Sequence, residues 1–407
     1  MDSFPEGNAI VYCQGAYGTI TGKTANGLVR RSQRYRVLSV IDSRHAGKDA
    51  GGVLDGRKNG IPIFGDLDEA ATAAARMRTP ATHFVMGLAP DGGRLGPSGR
   101  AEVVRAVRMG LHIVAGLHDH FSIDPGITRL AAERGVTIID VRKPPPLHEL
   151  HVFSGKIAQV DSLKIAVLGA DSACGKRTTS WILLDALAEA GYTVEFVGTG
   201  QTAWMQGARY GIVLDSLVND FVSGELEHAV WRAWNEMRPD VIIIEGQGSL
   251  MHPAYPGGFE ILAAGRPDVV VYQDVPARRE YDGLAGYVIH PVKDQIKAIE
   301  VISGKPVVAV TVNHEGMTRN KLAAVCRRIS ESMGLPATDP LWMGVHPVVT
   351  ALLPYLKSNR RWRTGGKVMV QGRIAKRASG KPKGGAKLAG RDGRSRRAGI
   401  KRAGEGD

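Results

Sequence analysis

Short apolar runs alternate with segments of helical periodicity through most of the chain. In the first third, apolar runs lie at residues 9–12, 35–41, 61–64, 83–87, 112–115 and 137–141, and helical patterns at 67–78, 101–109 and 127–134. Strands that alternate with helices of this length predict a parallel sheet with helices on both faces. A glycine-rich stretch follows the first run and Asp42 ends the second, which is how dinucleotide-type α/β domains begin.

The alternation resumes after a proline-rich break. Residues 144–146 are prolines, which cannot join a strand ladder, so we expect a domain boundary there. Further strands are predicted at residues 165–169, 194–197, 241–244, 269–273 and 307–312. Polar, glycine-rich residues follow these strands, and the carboxyl ends of parallel strands are where open sheets bind ligands. We therefore expect their loops to converge on one crevice.

The run at residues 165–169 leads into a loop typical of phosphate binding. In a P-loop, backbone N–H groups and a helix N-terminus hold the anion while a lysine supplies positive charge. The spacing is unusual because five residues separate Gly169 from Gly175, and Arg177 stands between Lys176 and the threonines. An ordinary strand–helix turn is the alternative. The candidate anion-binding residues are Gly169, Asp171, Cys174, Gly175, Lys176, Arg177, Thr178 and Thr179.

Two residues are candidates for proton transfer. Glu245 ends a buried-type strand, where a P-loop enzyme places an acid that serves as a base or orients Mg²⁺, and a capping role is the alternative. His252 is a second candidate base and equally a structural histidine. Thr178 and Thr179 are each candidates for a phosphate or metal contact or for capping the helix. The candidate substrate-binding residues are Gln201, Thr202, Arg209, Gln247 and Ser249.

A second, weaker phosphate-loop signal lies near the N-terminus. Gly22, Lys23 and Thr24 reproduce the end of a P-loop, but no glycine precedes them at the required distance and no strand immediately before them is predicted. The sequence therefore favours an ordinary turn here.

Charge is concentrated at the C-terminus. The net charge is +13, yet residues 357–407 hold 17 of the 53 Lys and Arg and only 3 of the 40 Asp and Glu, so the remainder is nearly neutral. We predict that residues 357–407 are a disordered basic tail, because large apolar side chains are few. Nucleic acid is expected as a partner only through residues 367–407.

Cysteine content and hydropathy indicate the cellular compartment in which the protein is expected. Three cysteines without paired or metal-ligand spacing predict neither a disulfide framework nor a metal site. The N-terminus lacks a signal-peptide pattern, and no stretch approaches the roughly 20 apolar residues of a membrane span. We expect a cytoplasmic protein with small-molecule substrates.

Taken together, residues 169–179, 198–202 and 241–255 resemble one two-domain P-loop family that includes D-glutamate (D-amino acid) N-acetyltransferases. Residues 15–19 and 40–43 are similar to the first domain of that family, and the likeness spans about residues 8–350. The resemblance implies acetyl-CoA as donor, a D-amino acid as acceptor and a homo-oligomer. The loop is also similar to that of dethiobiotin synthetase, which implies ATP and Mg²⁺ as the alternative. The expected fold is α/β, with a Rossmann-like domain over residues 1–146 and a P-loop domain over residues 147–356.

Overall fold

The first sheet of the structure, a computed structural model that describes residues 6–363, is wholly parallel. Its strands are β1 (Gly7–Tyr12), β2 (Tyr35–Ile41), β3 (Ile63–Phe64), β4 (His83–Met86), β5 (His112–Ala115) and β6 (Ile138–Asp140). The helices between them are α1 (Lys23–Arg30), α2 (Ala50–Asp55), α3 (Leu67–Arg76), α4 (Pro97–Arg108) and α5 (Pro125–Arg134). The spatial order is β3-β2-β1-β4-β5-β6, the doubly wound order of dinucleotide-binding folds.

The second sheet is also parallel and has seven strands. They are β7 (Leu163–Gly169), β8 (Val194–Gly198), β9 (Tyr210–Gly211), β10 (Val241–Glu245), β11 (Val269–Asp274), β12 (Val307–Val312) and β13 (Ala337–Thr338). Their order is β13-β12-β11-β7-β10-β8-β9, so β7 lies at the centre with β10 and β11 beside it. This position places the loop after β7 in the middle of the carboxyl edge, where ligands bind.

Helices cover both faces of the second sheet. They are α6 (Lys176–Glu189), α7 (Gln201–Gln206), α8 (Asn219–Met237), α9 (Phe259–Ala263), α10 (Val292–Ser303), α11 (Arg319–Met333) and α12 (His346–Arg363). Every residue of β7 is buried, with Ile165 and Val167 in one apolar cluster and Ala166 and Leu168 in the other. Because both faces of this strand are buried, successive side chains are apolar, which explains the continuous apolar run in the sequence.

The α/β architecture with two parallel sheets confirms the predicted fold. The prolines at 144–146 lie between β6 and β7, and helix α12 continues beyond residue 356, where we expected the second domain to end. The first helix begins at Lys23, in the Gly22-Lys23-Thr24 stretch for which the sequence favoured an ordinary turn. The predictions for residues 367–407 lie outside the described residues. Within residues 6–363, no helix is long and apolar enough to cross a membrane.

Candidate active site

The predicted P-loop connects β7 to α6 through residues 170–175. Gly175 has φ +112° and Ala173 has φ +49°, so the loop uses left-handed backbone twice. A Cβ on Gly169 would lie 2.6 Å from the Gln273 carbonyl oxygen, and the Ala170 N–H donates to that oxygen at 2.9 Å. Gly169 and Gly175 are therefore required by backbone approach and by φ, respectively.

Lys176 begins α6 and lies under the loop. It is 6% exposed, and its Nζ donates to the carbonyl oxygens of Gly248 at 2.7 Å and Asp171 at 2.5 Å. Gly175 caps the helix without a side-chain hydrogen bond, and bonding within the helix starts where the Thr179 N–H donates to the Gly175 oxygen. The earlier N–H groups of this turn are open to an anion, so the loop has the geometry of a phosphate cradle.

The residues around Lys176 divide into structural and available groups. The Thr179 hydroxyl is buried and donates to Gln273 Oε1 at 2.5 Å, so it locks the loop to β11. The Cys174 oxygen accepts a 2.9 Å bond from Asn313 Nδ2, and Cys174 Sγ lies 3.6 Å from Lys176 Nζ. Thr178 is half-buried, and its hydroxyl has no partner in the described part of the chain. Of the two threonines, Thr178 is the one available to a ligand.

Asp171 is fully buried and engaged within the protein. One carboxylate oxygen accepts from Arg278 Nη1 at 2.9 Å and from the Asp282 N–H at 3.0 Å, and the other from the Ser172 N–H at 2.7 Å. Burial disfavours the charge on Arg278, but hydrogen bonds and the charges of Glu315 and Asp171 outweigh it and raise the Arg278 pKa. Arg278 also donates to the Ser172 oxygen at 2.9 Å, so this ion pair clamps the loop backbone.

Glu245 ends β10 beside the P-loop. It is 4% exposed, its Oε2 accepts from the Thr199 N–H at 2.9 Å, and its carbonyl accepts from the Thr199 hydroxyl at 3.0 Å. Burial raises the pKa of Glu245, against the charges of Arg177 and Lys176 and the Thr199 N–H. Glu245 is therefore a buried carboxyl group that holds its proton to higher pH than an exposed glutamate does.

Both ring nitrogens of His252 face protein groups. Nδ1 accepts from the N–H groups of Ala254 at 3.1 Å and Tyr255 at 2.9 Å, while Nε2 lies 3.2 Å from Asp171 Oδ1. Burial lowers the pKa of His252, against the charge of Asp171. Accepting two N–H groups requires an unprotonated Nδ1, so the neutral ring carries its hydrogen on Nε2. In this arrangement His252 positions the loop at residues 252–255.

The loop after Glu245 brings two further candidates to the site. Ser249 is 3% exposed, and its hydroxyl has no hydrogen-bond partner in the region the structure covers. The Gln247 amide lies against Gly200, where an added Cβ would be 2.7 Å from Gln247 Nε2. Tyr281, which the sequence reasoning missed, packs its ring 4.7 Å from the His252 ring. Its buried hydroxyl has no partner of good geometry within residues 6–363.

Gln201, Thr202 and Arg177 lie where the second domain meets the first. Gln201 Oε1 accepts from Arg142 Nη2 at 3.2 Å, and the hydroxyls of Thr202 and Thr24 are 2.8 Å apart. Arg177 Nη2 donates to the Lys23 carbonyl at 3.2 Å. These predicted ligand-binding residues thus form part of an interdomain contact at the edge of the P-loop.

Arg209 lies apart from this group. It is exposed, its Nη1 is 3.1 Å from Met237 Sδ at the end of α8, and it lines a separate cavity of about 260 Å³ with Tyr210 and Arg232. No hydrogen bond joins Arg209 to the P-loop or to Glu245 in the part of the chain described. The structure therefore unites the other candidates, whose strand-end loops meet as expected, but does not place Arg209 with them.

Three residues that the sequence reasoning did not select complete the site: Arg278, Tyr281 and Lys23. Arg278 and Tyr281 follow β11, so the strand-end rule used for β7, β8 and β10 could have found them. Lys23 belonged to the weak Gly22-Lys23-Thr24 signal, and only the meeting of the two domains gives that lysine a neighbour in the P-loop.

Comparison with known proteins agrees with this architecture. Residues 151–349 match a P-loop domain and residues 43–144 a Rossmann-like domain, both described as DUF1611 domains of unknown function. Two proteins named D-glutamate N-acetyltransferase are similar to the chain. The one from Pseudoalteromonas sp is 28% identical over 72% of this chain and 88% of its own length. The one from Tritonibacter scottomollicae is 28% identical over 70% and 84%, respectively.

One solved structure is similar to this chain over nearly the whole fold. The crystal structure of a DUF1611 family protein from Anabaena variabilis is 26% identical, with a TM-score of 0.77 over 86% of this chain and 99% of that one. The two matching domains, in the same order and with the predicted sheets, establish the family. The chain belongs to the two-domain DUF1611 family, with a Rossmann-like N-terminal domain and a P-loop C-terminal domain.

Proposed function

We propose that the protein is an N-acetyltransferase that moves an acetyl group from acetyl-CoA to the amino group of a D-amino acid such as D-glutamate. The names of the two relatives support the reaction class. The observation that carries the proposal is a buried carboxyl group with a raised pKa, Glu245, next to an open phosphate cradle. Transfer to an amine requires both features, since the donor bears phosphates and the ammonium must lose a proton.

The P-loop supplies the donor site in this proposal. The open N–H groups at the start of α6 and the ammonium group of Lys176 would hold CoA phosphates. Lys176 Nζ donates hydrogen bonds to the carbonyl oxygens of Asp171 and Gly248, and a phosphate at the cradle would attract the same ammonium group. The Thr178 hydroxyl is placed in the same first turn as a further donor.

Glu245 is the favoured base because its role leaves the surrounding hydrogen bonds intact. Its carboxylate takes a proton from the acceptor ammonium, and the free amine attacks the thioester carbonyl carbon. The C–N bond forms, the C–S bond breaks, and the second proton lost by the amine nitrogen passes to the leaving CoA thiolate. Glu245 then releases its proton to solvent. The Ser249 hydroxyl, which has no partner of good geometry among residues 6–363, is the candidate donor to the oxyanion of the tetrahedral intermediate. His252 would have to give up two N–H bonds to act as the base.

The second candidate function is an ATP-dependent ligase or kinase-like reaction at the same loop. The P-loop itself favours it, since such loops commonly hold nucleoside triphosphates with Mg²⁺. The residue after the P-loop lysine, which in that pattern is a hydroxyl ligand of Mg²⁺, is Arg177 in this chain, and it points to the first domain. A fixed cation at that position favours an anion without a metal partner, as in the donor proposed above.

The test is mass spectrometry of a panel of D- and L-amino acids incubated with acetyl-CoA and the protein. We expect an acetylated product with an acidic D-amino acid, and a strong loss of product with Glu245→Gln. Unchanged activity in both Glu245→Gln and His252→Ala would remove both candidate bases. Calorimetric titration with acetyl-CoA and with ATP and Mg²⁺ separates the two functions, and binding of ATP alone would overturn the acetyltransferase.

A further inference from the structure

Two helices from different domains begin next to each other at the edge of the P-loop. Arg177, in the first turn of α6, donates to the carbonyl oxygen of Lys23, the first residue of α1. The approach is close, because a Cβ on Gly27 of α1 would lie 2.7 Å from Arg177 Nη2. Both helices have glycine at the N-cap, Gly22 and Gly175, and neither has a side-chain cap. Two positive helix ends therefore lie together where the domains adjoin, and we call this place the interdomain crevice.

Lys23 is a cation without an ion-pair partner in this crevice. It is half-buried, and no hydrogen bond or ion pair of its amine exists among residues 6–363. Burial lowers the pKa of Lys23 and the charges of Arg177 and Arg142 act in the same direction, while Asp282 and Asp215 oppose them. Holding an ammonium group here, close to two guanidinium groups, is unfavourable unless an anion joins it.

Arg177 has donors to spare for the same anion. Its Nη2 binds the Lys23 carbonyl, but its Nε is shielded from solvent and has no partner in the described structure. Burial lowers the pKa of Arg177, against the charge of Glu245. A guanidinium with unused donors beside a free ammonium group is well matched to a carboxylate.

Two acidic side chains near these cations argue for an amino acid and against a phosphate. Asp282 is half-buried within electrostatic reach of Lys23, and its backbone N–H is fixed by Asp171 while its own carboxylate is unbonded across the described residues. Burial raises the pKa of Asp282, against the charge of Arg278. Glu245 is the second nearby carboxyl group, and it interacts with Arg177. A zwitterion complements such mixed charges, whereas a phosphate at Lys23 would be repelled by the Asp282 carboxylate.

We propose that the acceptor amino acid binds in this interdomain crevice, with a carboxylate on Lys23 and Arg177 and its ammonium group toward Asp282 and Glu245. This inference rests on the proposed acetyltransferase function and adds the acceptor site to it. The Rossmann-like domain then supplies a residue that selects the acceptor, while the P-loop domain holds the donor. Lys23 and Asp282 are new binding residues for the reaction.

The test compares Lys23→Gln, Lys23→Arg and Asp282→Asn with the wild-type protein in steady-state kinetics. Lys23→Gln is expected to raise the KM for D-glutamate about tenfold or more, with the KM for acetyl-CoA unchanged. Lys23→Arg keeps the charge and is expected to recover most of the loss. Asp282→Asn is expected to raise the same KM. Lys58→Gln, an exposed lysine of the first domain, is the matched control and is expected to change neither constant.

Each outcome either supports or overturns the proposed acceptor site. A rise only in the KM for acetyl-CoA would assign Lys23 to the donor phosphates and overturn the proposal, as would unchanged constants in both Lys23→Gln and Asp282→Asn. If the wild-type protein transfers no acetyl group, the proposed function fails, and calorimetry with D-glutamate alone then tests the crevice. Binding by the wild type that Lys23→Gln weakens would retain the acceptor site, and equal or absent binding would reject it.

Discussion

Each of the two domains begins with a buried strand, a glycine-bounded loop and a helix whose first residue is lysine, and the two loops differ in how their backbone is bonded. In the first, the N–H groups of Ala16, Thr19 and Gly22 donate to carbonyls of the same loop. In the second, side chains of Arg278 and Asn313 bind the loop carbonyls instead. The first loop therefore uses its donors within itself. The second bonds the N–H groups of Ala170 and Ser172 but leaves those at the start of α6 for a ligand.

The two lysines differ in the same sense. Lys176 is buried and bonded to two carbonyl oxygens, while the Lys23 amine has no partner among residues 6–363 and lies near Arg177 of the other domain. Lys176 is therefore part of an anion site that is already organised by hydrogen bonds. Lys23 is an isolated cation, and we expect it to bind an anion together with Arg177 of the other domain. Similar Gly-Lys sequences thus serve two purposes, and the length and bonding of the preceding loop decide which.

The strongest challenge to this comparison is to remove each lysine in turn. We expect Lys176→Met to lower kcat/KM for acetyl transfer by about 10³-fold, because it removes the charge at the phosphate cradle. Lys23→Met should cost only about 10-fold, through the acceptor KM. Steady-state kinetics with both substrates varied measure the two effects. Equal losses from the two substitutions would show that the loops are not specialised as described.

The Asp171–Arg278 clamp separates the second loop from the first in stability as well. Arg278→Met leaves the fully buried Asp171 carboxylate without its cation, and we expect a loss of about 3 kcal/mol in the free energy of unfolding. Urea denaturation followed by circular dichroism measures it. Arg279→Met is the matched control, since Arg279 is adjacent and exposed. Similar stabilities of the two variants would mean that Arg278 does not clamp the loop.

Glu245 ends the strand next to β7, and its buried charge is costly to the fold. Glu245→Gln is expected to lower kcat about 10²-fold, and the wild-type rate should rise with pH through the Glu245 pKa. Since this pKa is raised on folding, the folded state binds the proton more tightly than the unfolded chain. The stability from Glu245 is therefore present below the unfolded pKa of about 4.3 and is lost as pH rises through the folded pKa.

Thermal denaturation across this pH window tests the sign. The melting temperature of Glu245→Gln should gain on that of the wild type as pH rises through the window, while activity stays low. Glu189→Gln, at the exposed end of α6, should show neither change. A melting difference that shrinks with rising pH would contradict the raised pKa.

The fold was predictable from the sequence because its information is local. Continuous apolar runs such as β7 and β10 can be buried only between two layers of helices, and the glycine-rich residues after them mark the carboxyl edge. The start of α1 was not predicted, because Gly22, Lys23 and Thr24 carry no apolar periodicity and because α1 packs in part against α7 of the other domain.

The roles of the individual site residues were harder to predict from the sequence. The position of Asp171 in the loop predicts a cofactor ligand. In the structure its carboxylate is instead paired with Arg278, about a hundred residues later in the chain. Thr179 and Thr178 cannot be told apart without the position of Gln273. The placement of Arg209 depends on the edge strand β9 and the end of α8, and loop composition does not report that packing. Long-range pairing, which local pattern does not encode, decides each of these cases.

The smallest expected effect tests how firmly the two regions are joined. Thr24 and Thr202 are each 1% exposed, and their hydroxyls form a hydrogen bond between α1 and α7. Thr24→Val leaves the Thr202 hydroxyl buried without a partner, which should lower the free energy of unfolding by about 1 kcal/mol. The double variant Thr24→Val with Thr202→Val removes both polar groups and should recover most of that loss, because no unpaired hydroxyl remains. Urea denaturation of the four proteins forms a double-mutant cycle. A double variant that loses the sum of the two single losses would mean that the hydroxyls contribute independently. The first domain would then be held against the P-loop domain by its other contacts, such as those of Arg177 with the Lys23 carbonyl and Gln206 with the Gly27 carbonyl.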